Sequence, residues 1–447
     1  MRDWTNLDKN YIWHPFTQMK DWLQSDNLII ERGEGVYLYD TDGNKYLDGI
    51  SSLWVNIHGH RKKEIDEAII DQLHKLAHST LLGLGVVPSI ELAERLVRIT
   101  PDNLRKVFYS DSGSTAVEIA LKIAFQYWKN KGHENKKLFV SLDQAYHGDT
   151  IGSVSLGAID LFHSIFHPLL FHTLVIPTPF PYMSPEFTPD ELKENCLNYF
   201  RKIASERGAE IAALIVEPRV QGAAGMIVHP KGFLKGLESI CRENEILMIC
   251  DEVATGFGRT GTMFACEQED VRPDLMCLAK GMTGGYLPLA ATMVSNQIFE
   301  AFLGNHTEYK TFFHGHSYTG NALACSAAIA CLDIFDRDQV LKRLNPKIKF
   351  LRNCLADRLT NLDHVGDIRQ CGFMVGIELV ENKLLRKPFP AELRIGAKVT
   401  RYARNCGVIL RPLGDVVVIL PPLSIENSEI ETIVEATEKS IKEICQI

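Results

Sequence analysis

Leu247-Met-Ile-Cys-Asp-Glu-Val253 and, further along, Leu275-Met-Cys-Leu-Ala-Lys-Gly281 decide the fold class. Each is a short apolar run closing on an ionisable side chain, Asp251 in the first and Lys280 in the second. A strand buried on both faces of a parallel sheet reads as such a run, and it presents functional groups at its carboxyl end. Two strands of this kind can aim an acid and an amine at one ligand. Two unrelated strand ends would look the same, so the rest of the chain must separate these readings.

The pattern repeats on both sides. Between about Phe108 and Asn296, Lys137-Leu-Phe-Val-Ser141, Ala213-Leu-Ile-Val-Glu217 and Leu289-Ala-Ala-Thr-Met-Val294 alternate with helical segments. That alternation predicts an α/β fold, a mainly parallel sheet covered by helices, in a large domain over residues 60–330. Upstream, Val36 to Asp48 carries strand-like runs around an Asp42-Gly43 turn and reads as a hairpin, followed by a helix from about Lys63 to Leu76. Trp13-His-Pro-Phe-Thr17 is interrupted by proline and reads as an ordered arm. Downstream of residue 331, a long helical stretch precedes Gly372–Val380, then Val408–Arg411 and Val416–Leu420 around a Pro412–Asp415 turn. A last helix is expected from near Ser428, whose spacing to Glu431 fits a capping box. Residues 1–59 and 331–447 are thus expected to build a smaller α+β domain from both chain ends.

A chain of 447 residues can bury a large core and accommodates one large domain with a smaller one. The net charge of -8 argues against nucleic-acid or anionic-membrane surfaces, which need clustered positive charge. The 11 cysteines are scattered singly, suggesting neither a zinc site nor a disulfide framework and fitting a reducing cytoplasm. The histidines lack metal-ligand spacing, and no metal is expected. No apolar run approaches the roughly 18 residues of a membrane span, and the first residues lack the apolar core of a signal peptide.

Asp111-Ser-Gly-Ser-Thr115 follows the apolar Val107-Phe-Tyr109 and opens a helical pattern, with Thr115 and Glu118 at capping-box spacing. Small residues and hydroxyls at a helix start make an anion cradle, or simply a capped helix. Ala145-Tyr-His-Gly-Asp149 lies at another strand end, where Tyr146 could cover a flat ligand and Gly148 permit close approach. Glu217-Pro-Arg-Val-Gln-Gly222 is a third polar strand end, and Asp251 continues into the glycine-rich loop Val253-Ala-Thr-Gly-Phe-Gly-Arg-Thr-Gly261. A lysine that can bond an aldehyde, beside an acid that keeps a pyridine ring protonated, is the pair a pyridoxal phosphate site needs. So many polar strand ends beside Asp251 and Lys280 are hard to explain as core packing.

Asp251–Gly261, Lys280-Gly-Met-Thr-Gly-Gly285, Asp111–Thr115 and Tyr146–Asp149 resemble the signature blocks of the class III, fold-type I pyridoxal phosphate aminotransferases, and the likeness spans nearly the whole chain. The resemblance implies that Lys280 binds the cofactor and shuttles a proton, that Asp251 pairs with the pyridinium nitrogen and that Tyr146 stacks on the ring. Ser112, Gly113 and Ser114 would hold the phosphate. It further implies a homodimer with shared sites, in which Ser317, within Gly315-His-Ser-Tyr318, matches the phosphate hydroxyl that comes from the other subunit, with His316 also touching the cofactor and Gly315 the substrate. The substrates would be a small amino donor and a keto acid. Arg411 matches an arginine that, in one branch, binds the carboxylate of a long-chain keto acid. Members using S-adenosylmethionine carry a tyrosine at Phe16 and two tryptophans at Leu53-Trp54, so these departures favour lysine as donor. An ω-amino acid or diamine transaminase would share the machinery, whereas a non-catalytic relative would be expected to lack Lys280 or Asp251.

Overall fold

In the computed structural model, which describes residues 2–445, the apolar runs pair as strands of one seven-stranded sheet. Three strands precede it: β1 (Ile30–Glu34), β2 (Tyr37–Asp40) and β3 (Lys45–Asp48). The large sheet takes β4 (Leu104–Ser110), β5 (Leu138–Leu142), β6 (Leu174–Ile176) and β7 (Ile211–Val216). A small hairpin follows, β8 (Val220–Gln221) with β9 (Ile227–Val228). The sheet then gains β10 (Leu247–Asp251), β11 (Leu275–Leu278) and β12 (Ala290–Ser295), in the order β4-β12-β11-β10-β7-β5-β6.

β10 runs parallel to β7 and β11, and β5 parallel to β6 and β7, while β12 is antiparallel to both its neighbours. The sheet is mainly parallel, as expected, with one reversed strand. β7, β10, β11 and β12 are buried along their whole length, which is why they read as unbroken apolar runs. Successive residues still part to opposite faces. Ile249 and Cys277 pack with the helix Gly113–Asn130, whereas Met248, Cys250 and Met276 pack in the core that contains the helices Pro189–Arg207 and Phe233–Glu243.

The C-terminal region supplies β13 (Val365–Cys371), β14 (Met374–Leu379), β15 (Val408–Ile409), β16 (Arg411–Leu413) and β17 (Val416–Ile419). β15 joins the N-terminal sheet β1-β2-β3-β15, parallel to β3, while β16 closes the sheet β13-β14-β17-β16. The run Val408–Arg411, expected as one strand, therefore divides at Leu410 between two sheets. Both chain ends thus share one sheet.

Two helix starts differ from expectation. The helix Gly113–Asn130 is capped by Ser112, whose Oγ accepts the Thr115 N–H at 3.3 Å while the Ser112 N–H donates to Thr115 Oγ1 at 3.1 Å. Glu118 instead accepts from the Thr150 hydroxyl and the Gly152 and Ser153 amides. The last helix, Asn427–Ile444, starts one residue before Ser428, with Glu426 as its cap and Glu429 returning the bond. The helix Ala322–Arg337 runs unbroken across residue 330. Trp13–Thr17 is a non-helical arm, as expected, after a helix Trp4–Tyr11. Among the described residues no helix is long and apolar enough to cross a membrane, and no group of three or more His, Cys, Asp or Glu is placed to hold a metal.

Candidate active site

Asp251 is the last residue of β10 and pairs in register with Cys277 of β11, so the chain reaches Lys280 just beyond the neighbouring strand end. Lys280 takes a φ of 43°, a bend that turns the chain out of the sheet. Both side chains line one cavity of about 680 Å³. Ser112, Gly113, Ser114 and Tyr146 line it too, as do Phe16, Leu53, Trp54 and Arg411 from outside the large sheet.

On the cavity wall three ionisable groups meet. Asp251 Oδ2 lies 2.7 Å from His147 Nδ1, and its Oδ1 accepts the Val253 N–H at 3.1 Å. The imidazole is buried, and its Nε2 has no partner among the described residues. With Nδ1 as the donor, the ring holds the Asp251 side chain in place at the cavity floor. Glu217 is buried as well, accepting the N–H of Gly222 at 2.9 Å and of Tyr146 at 3.3 Å. Burial pushes its carboxyl up to about 7, with His147 opposing and Asp251 reinforcing the shift. Burial pulls the Lys280 amine down to about 8 against the attraction of Asp251 and Glu217. An amine that loses its proton near neutrality can act as a nucleophile and then as a base. The ring of Trp54 is centred 4.7 Å from Lys280 Nζ.

At the helix start, the N–H groups of Gly113 and Ser114 have no acceptor within the helix, the general condition of a first turn. A Cβ on Gly113 would come within 2.6 Å of the Val253 side chain, so a glycine is required where the loop after Asp251 crosses the helix. Gly148, at φ 123°, abuts Ser114, and Thr150 donates its N–H to Ser114 Oγ at 3.1 Å. The result is a rigid cradle of amides and hydroxyls open to the cavity, suited to a phosphate.

The remaining walls are mainly apolar and carry one cation, Arg411, and two acids, Asp111 and Asp149. Tyr146 donates its hydroxyl to Asp149 at 2.8 Å, and burial raises its phenol above the ordinary value. Phe162 packs edge-on against both Phe16 and Tyr146. Arg411 is half-buried and makes no side-chain hydrogen bond among the described residues; burial pulls its guanidinium below its usual value.

Gly315, His316 and Ser317 do not line the cavity of their own chain. They lie before the helix Ala322–Arg337, where the Ser317 carbonyl accepts from His78 Nε2 at 2.6 Å. Tyr309, Phe313 and Tyr318 around them are largely exposed. The sequence reading missed His147, Asp149, Thr150 and Phe162 as site residues. His147 and Asp149 sit inside the block that yielded Tyr146, and the strand end that aims one residue into a cavity aims its neighbours beside or beneath it. Phe162 carried no local signal.

Residues 20–441 match the family described as aminotransferase class-III. A protein of Nitratidesulfovibrio vulgaris named adenosylmethionine-8-amino-7-oxononanoate aminotransferase is 55% identical over 98% of this chain and 81% of its own length. A relative of the same name from Anoxybacillus flavithermus is 52% identical over 99% of this chain and 97% of its own length. The crystal structure of the enzyme so named from Methanocaldococcus jannaschii is 48% identical and superposes with a TM-score of 0.94 over 98% of both chains. An amine transaminase from an uncultivated Pseudomonas species, solved in its PLP-bound form, is 35% identical with a TM-score of 0.92 over 97% of this chain and 99% of that one.

Proposed function

The chain belongs to the class-III aminotransferase family, and from that premise we propose that it aminates 8-amino-7-oxononanoate to 7,8-diaminononanoate, a step of biotin synthesis. It is a pyridoxal-phosphate-dependent aminotransferase. The acceptor rests on one observation: Arg411 is half-buried and without a carboxylate partner, in a cavity walled by Phe16, Leu53, Phe162 and Leu413. A planar guanidinium grips a carboxylate through two parallel bonds, and apolar walls suit the long chain that carries it.

The residues fit the cofactor: the amide cradle suits its phosphate, the steadied Asp251 its ring nitrogen and the depressed amine of Lys280 its aldehyde. Bound pyridoxal phosphate supplies an aldehyde for the incoming amine and a cationic ring that draws electrons from the adjacent carbon. Lys280 would then serve as the base, its Nζ carrying a proton from the amino-bearing carbon of the donor to the cofactor's aldehyde carbon, and carrying one back to the carbon to be aminated in the acceptor half of the cycle. Asp251 would keep the ring nitrogen protonated, His147 would hold Asp251, Tyr146 would orient the ring face, and Arg411 would fix the register of the acceptor.

The proposed donor is L-lysine. Phe16 has no hydroxyl and Leu53 no indole to offer a sulfonium nucleoside, and both line the cavity. S-Adenosylmethionine is the second reading, because the relatives carry it in their names. In this reading the enzyme works in the cytoplasm as a homodimer, with Gly315, His316 and Ser317 completing the partner's site and the exposed aromatics around them covered by that partner. The proposed division keeps residues 60–330 as the large domain and 331–447, with 1–59, as the smaller one; the continuity of the helix Ala322–Arg337 across 330 favours moving that division to the break before the helix Val340–Leu359.

The test is acceptor competition in the loaded enzyme, with 8-amino-7-oxononanoate, pyruvate and 2-oxoglutarate offered separately and the aminated products identified by mass. Preference for 8-amino-7-oxononanoate, with Arg411→Ala raising its KM about 10- to 100-fold, is the expected result. Equal use of pyruvate, or an Arg411→Ala enzyme with unchanged KM, would point to an ω-amino acid transaminase.

A further inference from the structure

Ser51, Ser52 and Trp54 take φ values of 50°, 62° and 66° in a turn without glycine. Residues with side chains seldom adopt such backbone, and it persists where surrounding contacts over-determine it. Asp48 provides those contacts from a fully buried position. Its Oδ1 accepts the Ser52 N–H at 2.9 Å and the Ile50 N–H at 3.4 Å. Its Oδ2 accepts the Ser52 hydroxyl at 2.9 Å and lies 3.0 Å from His60 Nε2. The turn is anchored on either side: Ser51 Oγ donates to the Leu420 carbonyl at 2.7 Å, and Arg259 Nη2 to the Asn56 carbonyl at 2.7 Å. At its end the Trp54 indole is buried beside Gly222 and against the Lys280 amine. Asp48 itself does not line the cavity.

We infer that Asp48 is a positioning residue that clamps the strained Ser51–Trp54 turn and thereby holds Trp54 against Lys280 and Leu53 on the wall of the substrate pocket. Without the carboxylate, the Ser52 amide and hydroxyl lose their acceptor, the turn relaxes towards negative φ, and both pocket side chains move with it. An asparagine at 48 still accepts the Ser52 amide. A glycine at 52 takes positive φ at no steric cost and therefore substitutes for part of the clamp. The inference rests on the aminotransferase reading for what the pocket binds, though not for the geometry of the turn.

The test compares the cofactor-loaded wild type with Asp48→Ala, Asp48→Asn, Ser52→Ala and the double variant Asp48→Ala/Ser52→Gly. Two readouts are taken: KM and kcat for the amino donor, and acrylamide quenching of Trp54 fluorescence, obtained in each background by difference from Trp54→Phe. Asp48→Ala is expected to raise the donor KM about tenfold with a smaller change in kcat, and to open Trp54 to quencher. Asp48→Asn should stay near wild type, and the double variant should recover most of both losses. Ser52→Ala, which keeps the Asp48–His60 pair, should give the same effect at about threefold, so the clamp is still tested if Asp48→Ala fails to fold. A shielded Trp54 with unchanged KM in Asp48→Ala or Ser52→Ala, or a double variant no better than Asp48→Ala, would overturn the inference. A wild type inactive with every donor would sink the proposed function alone, since quenching still reads the turn.

Discussion

In the proposed mechanism, replacing Lys280 by methionine removes both the point of cofactor attachment and the proton carrier. Turnover should fall by at least about 10²–10⁴-fold, the usual worth of a general base, and the visible band of the loaded protein should disappear while its circular dichroism stays unchanged. Glu217 governs a different property. Its folded-state carboxyl is raised from 4.5 to about 7, so the folded protein keeps a proton that the unfolded chain releases in that window. The stability this lends is complete below the unfolded value and is lost as pH rises through about 7. Glu217→Gln stays neutral throughout, so the cofactor-free variant should match wild type near pH ~5 and melt about 2–3 °C higher near pH ~8. A difference in Tm that is the same at both pH values would contradict a raised carboxyl. At this scale the sequence showed that Lys280 and Asp251 end neighbouring apolar runs, and the fold brings both to one cavity. The sequence was mute about His147 as the support of Asp251, because a buried hydrogen bond between residues 104 positions apart leaves no trace in local spacing.

The elements that carry Arg411 meet at Gly49. Its N–H donates to the Ile409 carbonyl at 3.0 Å, and its own carbonyl accepts from Leu420 at 2.8 Å, so one residue ties together the ends of β3, β15 and β17. A Cβ there would lie 2.9 Å from the Ile409 carbonyl and the Leu410 side chain. Gly49→Ala should cost about 1–3 kcal/mol of stability and, by displacing Arg411, raise the KM for the keto acid more than that for the donor. Thermal melts with kinetics of both half-reactions would check it; an equal rise in both KM values would disconnect Gly49 from Arg411. The central strands were legible because burial on both faces leaves nothing but apolar residues. The division at Leu410 was not, since an apolar run that changes sheets looks like one that stays. The cap at Ser112 was misassigned to Thr115 because Ser112, Ser114 and Thr115 compete, and spacing does not tell which of them leaves helical φ/ψ.

Across the whole molecule, the loop holding Gly315, His316 and Ser317 stands outside its own cavity while presenting Tyr309, Phe313 and Tyr318 to solvent. If a second copy covers those aromatics and receives Ser317 at its phosphate cradle, Ser317→Ala should weaken cofactor affinity about tenfold without touching the residues of its own cavity. Dilution below the dimer's dissociation range should do the same to the wild type. Sedimentation paired with cofactor titration would check both, and a monomer that binds the cofactor as tightly as the dimer would refute the shared site.

The most direct measurement is the absorbance spectrum of the purified, cofactor-loaded protein as L-lysine and S-adenosylmethionine are added separately with no acceptor present. The visible band of the lysine-bound cofactor should be present at the start and bleach with L-lysine. Bleaching by S-adenosylmethionine alone would overturn the proposed donor and show that Phe16 and Leu53 are compatible with the larger molecule. A loaded protein with no such band, or with a band that neither donor bleaches, would contradict the transamination account.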